Sequence, residues 1–179
     1  ADACNCGVTR EAPASNPSLT FAFEPRRTRL MRRRLVRPRE QPLPARLTPI
    51  LMYHSIDADP PERFAPFAVS PARFDGHLRL IREEGFRFLS VSEFVGARDL
   101  GQIPERAVVL TFDDGFADFY YEAAPILARH DARATLYAVA GLIGKTSRWL
   151  EEIGAGASPM LTWRQLCEVG DAGVEIGAH

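Results

Sequence analysis

Short apolar segments recur between residues 48 and 179, and each one stops at a glycine or a polar residue. The segments predicted as strands are Ile50–Tyr53, Phe86–Leu89, Val108–Leu110, Thr135–Ala140 and Val174–Ala178. The clearest of them lack strict alternation of apolar and polar positions, which is typical of strands covered on both faces in a parallel sheet. The pattern therefore predicts a parallel sheet at the centre of the fold, with the first strand buried.

Helical patterns separate these strands. Phe74, Leu78 and Ile81 fall at i, i+4 and i+7 after Ser70-Pro71, which supplies a cap residue and a proline at the first helical position. Further helices are predicted at the capping boxes Ser90-x-x-Glu93 and Thr162-x-x-Gln165, and over residues 119–128 with a disturbance at Pro125. The alternation of strands and helices predicts an α/β fold, either a (β/α) barrel or an open sheet.

Side chains suited to metal binding or proton transfer follow three of the predicted strands. His54 follows the first, the pair Asp113 and Asp114 follows the third, and His179 follows the last. Carboxyl ends of parallel strands meet at one edge, where α/β folds usually build active sites, and carboxylates with imidazoles suit zinc or a harder metal. The alternative is structural: aspartates that cap the next helix and histidines that only form hydrogen bonds.

These motifs resemble those of the NodB-homology polysaccharide deacetylases, a family of carbohydrate esterases. The resemblance rests on Thr-Phe-Asp-Asp-Gly at 111–115, Gly-x-Glu-Ile-Gly-x-His at 173–179, the middle strand and helix at 133–139 and 161–166, and Pro49–Ile56. The last of these is similar to the opening of the subgroup that deacetylates poly-N-acetylglucosamine exopolysaccharides. The match runs from about Thr48 to His179 and implies a distorted (β/α) barrel, incomplete at its C-terminus.

The resemblance implies a role for each of the four polar residues. Asp114 and His179 would bind a divalent metal, Asp113 would be the general base, and His54 would be the general acid. The subgroup has a permuted motif order, in which the Met-Tyr-His segment near the start provides that acid. Zinc is the metal expected for Asp and His ligands, with cobalt or nickel as alternatives. The implied substrate is an N-acetylated polysaccharide, first of all an N-acetylglucosamine polymer, whose acetamide C–N bond is hydrolysed.

The family's second metal-binding histidine lies about four or five residues beyond the first, whereas this sequence stops at His179. Open catalytic zinc sites normally use three protein ligands, and the motif here offers two. We therefore expect the chain to be the N-terminal part of a deacetylase domain, inactive or very weakly active as given. The substrate-binding residues are unassigned, although Trp149 is a candidate either for sugar stacking or for packing within its loop.

Two other functions remain open at this point. An aspartate-based phosphatase also places Asp at a strand end, but its usual second Asp two positions on would fall at Gly115 or Phe116. A carbohydrate-binding protein without catalysis is the non-enzymatic alternative. The presence of both Asp113 and Asp114 argues against loss of the acidic half of a catalytic site.

Charge is distributed unevenly along the chain. Residues 1–46 carry ten arginines against four acids, a charge of +6, so the remaining residues carry −7 of the net −1. These 46 residues also hold six prolines and are predicted to form a disordered Arg/Pro-rich tail before a catalytic domain at 47–179. The arginine block at 26–34 suits nucleic acid or an anionic surface, but a solvated linker is favoured, so no specific nucleic-acid partner is expected.

The cysteines and the hydropathy place few constraints on location. Cys4-x-Cys6 lacks the second pair of a structural zinc site, and Cys167 is predicted to be a small buried hydrophobic residue. No run approaches the ~18–20 apolar residues of a membrane helix, and the start lacks the order of a secretory signal. The resemblance implies an extracytoplasmic or envelope-associated protein, and we expect a monomer.

Overall fold

Five strands and four α-helices alternate along residues 47–179, the part of the chain that the computed structural model describes. The strands are β1 (Ile50–Tyr53), β2 (Arg87–Leu89), β3 (Ala107–Phe112), β4 (Thr135–Ala138) and β5 (Glu175–Ala178). The helices are α1 (Pro71–Glu83), α2 (Val91–Asp99), α3 (Ala124–Arg129) and α4 (Trp163–Asp171). The predicted disordered tail at 1–46, its arginine block and Cys4-x-Cys6 lie outside the described residues.

The strands form one parallel sheet with β3 at its centre. β3 pairs with β1, β2 and β4, and β4 pairs in turn with β5. The register aligns Tyr53 with Phe112, and Ala138 with Ala178, so the residues that follow these strands emerge at the same edge of the sheet. The predicted α/β class with a parallel sheet is confirmed. Within residues 47–179 the sheet stays open, since β1 and β5 each pair with one neighbour.

The centre of the sheet is held by a cluster of aromatic rings. All six residues of β3 are buried, and Phe112 at its end contacts Tyr53 at 5.3 Å and Phe119 at 4.8 Å between ring centroids. Phe74 of α1 packs edge-on against both Tyr53 and Phe112. Each fully buried side chain of this size contributes about 1.5–3 kcal/mol. The carboxyl ends of β1 and β3 are therefore held in place by close aromatic packing.

The prediction of a buried first strand is wrong for half of β1. Tyr53 is buried, but Ile50 and Met52 are 57% and 60% exposed. Alternate residues of a strand point to opposite faces, and in the described part of the chain only one face of β1 meets the core. The last strand shows the same behaviour, because Ile176 of β5 is also exposed.

The predicted helix starts are confirmed. The Ser70 side chain accepts a hydrogen bond from the Arg73 amide, and Pro71 is the first residue of α1. Both capping boxes form at the starts of α2 and α4. The predicted helix at 119–128 begins as a π-helical turn, Phe119–Ala123, and becomes regular in α3, which has Pro125 in its first turn. Proline lacks the amide hydrogen that a regular helix uses, which accounts for the irregular turn before it.

Cys167 differs from its prediction. It is only partly buried on α4, whereas the sequence predicts a small buried hydrophobic residue. Of the helices that the structure describes, none has the length and apolar character needed to span a bilayer.

Candidate active site

Four polar residues stand directly after three strands of the sheet: His54 after β1, Asp113 and Asp114 after β3, and His179 after β5. Backbone hydrogen bonds continue the strand pairing into this edge. The amide of Asp113 donates to the Tyr53 carbonyl at 2.8 Å, and the amide of His179 donates to the Ala138 carbonyl at 3.0 Å. The sheet register therefore brings residues that are up to 125 positions apart to the same edge of the sheet.

The acidic pair and His179 form a close cluster. His179 Nε2 lies 3.8 Å from Asp113 Oδ2 and 3.8 Å from Asp114 Oδ1. The two aspartate side chains are only 18% and 15% exposed, while that of His179 is 45% exposed. The carboxylates thus lie at the floor of the site with the imidazole at its rim.

The backbone at Asp114 explains how two adjacent aspartates reach one imidazole. Successive residues of an extended strand would point to opposite faces. Asp114 instead has a φ of +71°, in the left-handed region that chiral residues other than asparagine and aspartate rarely adopt. Gly115 follows with a φ of +79°, and a side chain there would meet Ala138 at 3.1 Å. This turn costs about 1–3 kcal/mol, and such strain is characteristic of functional sites.

Charge interactions connect the four residues. Burial raises the pKa of the Asp114 carboxyl above its ordinary value, and positive charge on His54 and on His179 opposes that rise. The nearby Asp113 carboxylate raises the pKa of Asp114 further. The His54 ring packs edge-on against Phe67, with 5.8 Å between the ring centroids.

Close packing of β5 against β4 sets the position of His179. Gly177 is paired with Tyr137, and a side chain added to Gly177 would meet the Tyr137 ring at 2.6 Å. Real Cβ atoms do not approach other atoms that closely, so glycine is required for the ring to lie across this strand. Sequence reasoning identified Gly177 only as part of a motif, because the contact depends on the pairing of two strands.

Asp118 and Ser55 are residues of this edge that sequence reasoning missed. The Ser55 hydroxyl donates a 2.5 Å hydrogen bond to Asp118 Oδ2, which links the segment after β1 to the segment after β3. Ser55 follows His54 directly, so the bond helps to fix the backbone that carries His54. A signal was present in the sequence: Asp118 is a lone acid among Phe116, Ala117 and Phe119, which are buried.

Burial raises the pKa of Asp118 from 3.8 to about 6, although the hydrogen bond from Ser55 opposes the rise. An acid with a raised pKa in the folded state binds more protons than the unfolded chain, so stability falls as pH rises from about 4 to about 6. We expect Asp118→Asn to remove this decrease and to be more stable than the unaltered protein at neutral pH by up to about 3 kcal/mol. Urea unfolding across this pH range measures the difference.

Asp99→Asn is the matched control, because Asp99 is exposed on α2. It should keep the pH dependence of the unaltered protein. An Asp118→Asn variant whose stability follows the same pH curve as that control would show that the Asp118 carboxyl is not the group responsible.

The candidate site contains the types of donor atom that bind divalent metals. Carboxylate oxygen, as in Asp114, and imidazole nitrogen, as in His179, are both donor types that zinc binds in proteins. A cation at this position would favour the charged form of the buried Asp114 carboxyl. Across residues 47–179, no three histidine, cysteine or acidic side chains are grouped so as to hold a metal ion.

Comparison with known proteins agrees with this geometry. The family model for polysaccharide deacetylase matches residues 101–179, the stretch that includes the acidic pair and His179. Residues 101–179 belong to a polysaccharide deacetylase domain. The family predicted from the motifs is thereby confirmed, and polysaccharide deacetylases are in general metal-dependent.

Relatives of this deacetylase domain extend the match towards β1. YxkH of Bacillus subtilis strain 168, named as a polysaccharide deacetylase, is 32% identical over 137 residues, which are 76% of this chain and 43% of YxkH. The poly-beta-1,6-N-acetyl-D-glucosamine N-deacetylase of Staphylococcus aureus strain MSSA476 is 29% identical over 79 residues, 44% of this chain and 27% of that protein.

A solved structure shows the same fold. The Streptococcus pyogenes deacetylase PplD, determined in complex with acetate, superposes with a TM-score of 0.58 and 38% identity, covering 74% of this chain and 55% of PplD. The chain thus spans about half the length, or less, of the relatives it matches.

Proposed function

We propose that this deacetylase domain removes N-acetyl groups from a polysaccharide in a metal-dependent hydrolysis. The observation that carries the proposal is that His179 Nε2 lies 3.8 Å from a carboxylate oxygen of Asp113 and of Asp114, in a stretch that matches the polysaccharide deacetylases. Hydrolysis of an acetamide consumes one water and yields acetate and a free amine. It needs an acceptor for the proton of water and a proton for the departing nitrogen.

The two halves of that proton transfer are assigned to Asp113 and His54. Asp113 lies at the floor of the site next to Asp114 and takes the proton of the attacking water. His54, at the end of the neighbouring strand, gives a proton to the amine nitrogen, a role that suits an imidazole because its ordinary pKa is near neutrality. Their positions at the ends of paired strands place the two residues on one edge of the sheet.

Asp114 and His179 are assigned to the metal, with zinc as the first choice and cobalt or nickel as alternatives. When bound, the metal lowers the pKa of a coordinated water and polarises the acetamide carbonyl. The buried Asp114 carboxylate then has a cation to offset the cost of its burial. The left-handed backbone at Asp114 orients this ligand independently of Asp113.

The relatives support an N-acetylglucosamine polymer as substrate. One of them is a poly-beta-1,6-N-acetyl-D-glucosamine N-deacetylase, and the PplD structure holds acetate, the acid that deacetylation releases. A test of the proposed function is acetate release from an N-acetylglucosamine oligomer, measured before and after removal of metal with a chelator and again after addition of zinc. Acetate release at a rate that the chelator does not change would contradict the proposal. Hydrolysis of p-nitrophenyl phosphate without hydrolysis of the acetamide would also contradict it.

Zinc binding gives a second test that does not depend on turnover. We expect Asp114→Ala and His179→Ala each to weaken zinc binding by at least about tenfold, since even residues behind the metal ligands change metal affinity that much. Calorimetric titration with zinc measures the dissociation constants. The exposed Asp99→Ala variant should bind zinc like the unaltered protein, and equal affinity in all four proteins would remove Asp114 and His179 from the metal site.

A further inference from the structure

A strip of aromatic rings leads away from His54 along the outside of the candidate active site. Phe67 contacts His54 at 5.8 Å and Phe64 at 5.8 Å, and Phe64 contacts Phe116 at 5.5 Å between ring centroids. Phe116 then stacks on Trp149 at 6.1 Å with an angle of 26° between the ring planes. We call these four rings, Phe67, Phe64, Phe116 and Trp149, the aromatic strip.

The two inner rings of the strip are buried, and the two outer rings are partly exposed to solvent. Phe64 and Phe116 are 4% and 2% exposed and pack with Ala155 and Met160 in a small hydrophobic cluster. Phe67 and Trp149, in contrast, are 48% and 45% exposed. Exposed aromatic surface beside a polar site costs free energy of hydration, and it is typical of ligand-binding grooves.

The loops that carry the exposed rings are held in place. Arg63 donates a 2.8 Å hydrogen bond to the Glu152 carbonyl, which joins the segment before Phe67 to the helical turn that carries Trp149. The fully buried Ser147 hydroxyl donates to the Ala155 carbonyl and lies 3.2 Å from the Ser158 carbonyl, at the base of the same turn. The exposed rings are thus pre-organised, which lowers the conformational entropy that a ligand would have to remove.

Hydrogen-bonding groups lie against the inner rings. Phe64 and Phe116 line a cavity of about 100 Å³ together with Asp57, Asp118 and Ser158. Asp118 Oδ1 is buried there without a hydrogen-bond partner among the described residues. A buried oxygen without a hydrogen bond is unfavourable, so a ligand that donates a hydrogen bond to it lowers the free energy of the complex.

We propose that the aromatic strip binds sugar residues of the polysaccharide on the side of His54, with Trp149 as the main stacking surface. A pyranose has apolar C–H faces and a rim of hydroxyl donors, so its face matches an exposed indole and its rim matches the acceptors of the neighbouring cavity. The inference rests on the proposed function for the substrate class. It adds that recognition requires an oligosaccharide longer than one sugar, because the strip lies beside the catalytic cluster and not within it.

The experiment measures binding and not turnover. The full chain with Asp113→Asn is titrated with N-acetylglucosamine and with its tetramer, and Trp163→Phe in the same protein leaves Trp149 as the only tryptophan that reports by fluorescence. We expect the tetramer to change Trp149 fluorescence and to bind at least about tenfold more tightly than the monosaccharide.

Two substitutions of Trp149 and one control then locate the contact. Each is made singly in the Asp113→Asn protein, the parent, and tetramer binding is measured by calorimetry. Trp149→Ala should weaken tetramer binding about tenfold, and Trp149→Tyr should restore most of it, because tyrosine keeps an aromatic face. Trp163→Ala is the matched control: Trp163 is 49% exposed, and none of the ring contacts in the described residues involves it. It should bind like the parent.

Equal effects of the two alanine variants, or equal affinities for monomer and tetramer, would overturn the aromatic strip as a binding surface, as would a protein that binds no tetramer. The proposed function fails separately: tetramer binding through Trp149, in a protein whose zinc affinity is unchanged by Asp114→Ala and by His179→Ala, would retain the strip and reject metal-dependent deacetylation at this site.

Discussion

Asp113→Asn is expected to lower the rate of acetate release from an N-acetylglucosamine oligomer by about 10²–10⁴-fold, the range typical of a lost general base, when the domain is assayed in a longer protein that supplies a third metal ligand. Asparagine keeps the shape of the side chain and its place 18% exposed at the floor of the site, but it cannot accept the proton of water at neutral pH. The loss should appear in kcat, with KM nearly unchanged, because Asp113 acts on the water and not on the sugar.

The matched control for this variant is Asp99→Asn, an equal change of charge at an exposed position on α2. Its kcat should equal that of the unaltered protein. Zinc titration of Asp113→Asn separates the two aspartates, because the proposal assigns the metal to Asp114. If Asp113→Asn lost zinc binding while Asp114→Asn kept it, the roles of the two residues would be the reverse of those proposed.

Gly177→Ala is expected to destabilise the fold by about 1–3 kcal/mol, the usual cost of inserting a methyl group into a filled space. The new Cβ would lie 2.6 Å from the Tyr137 ring, so the ring or β5 has to move. Urea unfolding measures the change in the free energy of unfolding. Because Gly177 is two residues before His179, zinc affinity should fall as well.

Two further variants show whether the Tyr137 ring is the cause. Gly170→Ala adds the same methyl group on α4 at an ordinary 3.7 Å from Ile176, and it should be neutral or slightly stabilising, since alanine favours a helix over glycine. Tyr137→Ala should make a following Gly177→Ala change much less costly, with a coupling energy of at least about 0.5 kcal/mol. Additive effects in that double-mutant cycle would place the strain elsewhere.

The outline of the fold follows from local patterns in the chain. Helix starts depend on residues three positions apart, such as Ser90 with Glu93, so a reading of neighbouring positions finds them. Strand segments such as Val108–Leu110 are recognisable because they are apolar throughout. Local patterns could not predict the exposure of Ile50 and Met52, because the burial of a strand depends on which elements cover it and not on its own composition.

The candidate site divides in the same way. The acidic pair, His54 and His179 are recognisable in the sequence because each follows a strand, and parallel strands end at a common edge. Only the tertiary structure showed the left-handed backbone at Asp114, since that conformation is set by packing of the following turn against β4.

What the amino-acid sequence alone determined was the chemistry: a parallel α/β framework and the acids and imidazoles at the ends of its strands. What the folded chain decided was every relation between distant segments, namely the hydrogen bond from Ser55 to Asp118, the Tyr137 ring over Gly177, and the line of rings from Phe67 to Trp149. The physical reason is that side-chain type and periodicity are local properties. Contacts between residues tens of positions apart depend on strand register and packing, which no single segment of the chain specifies.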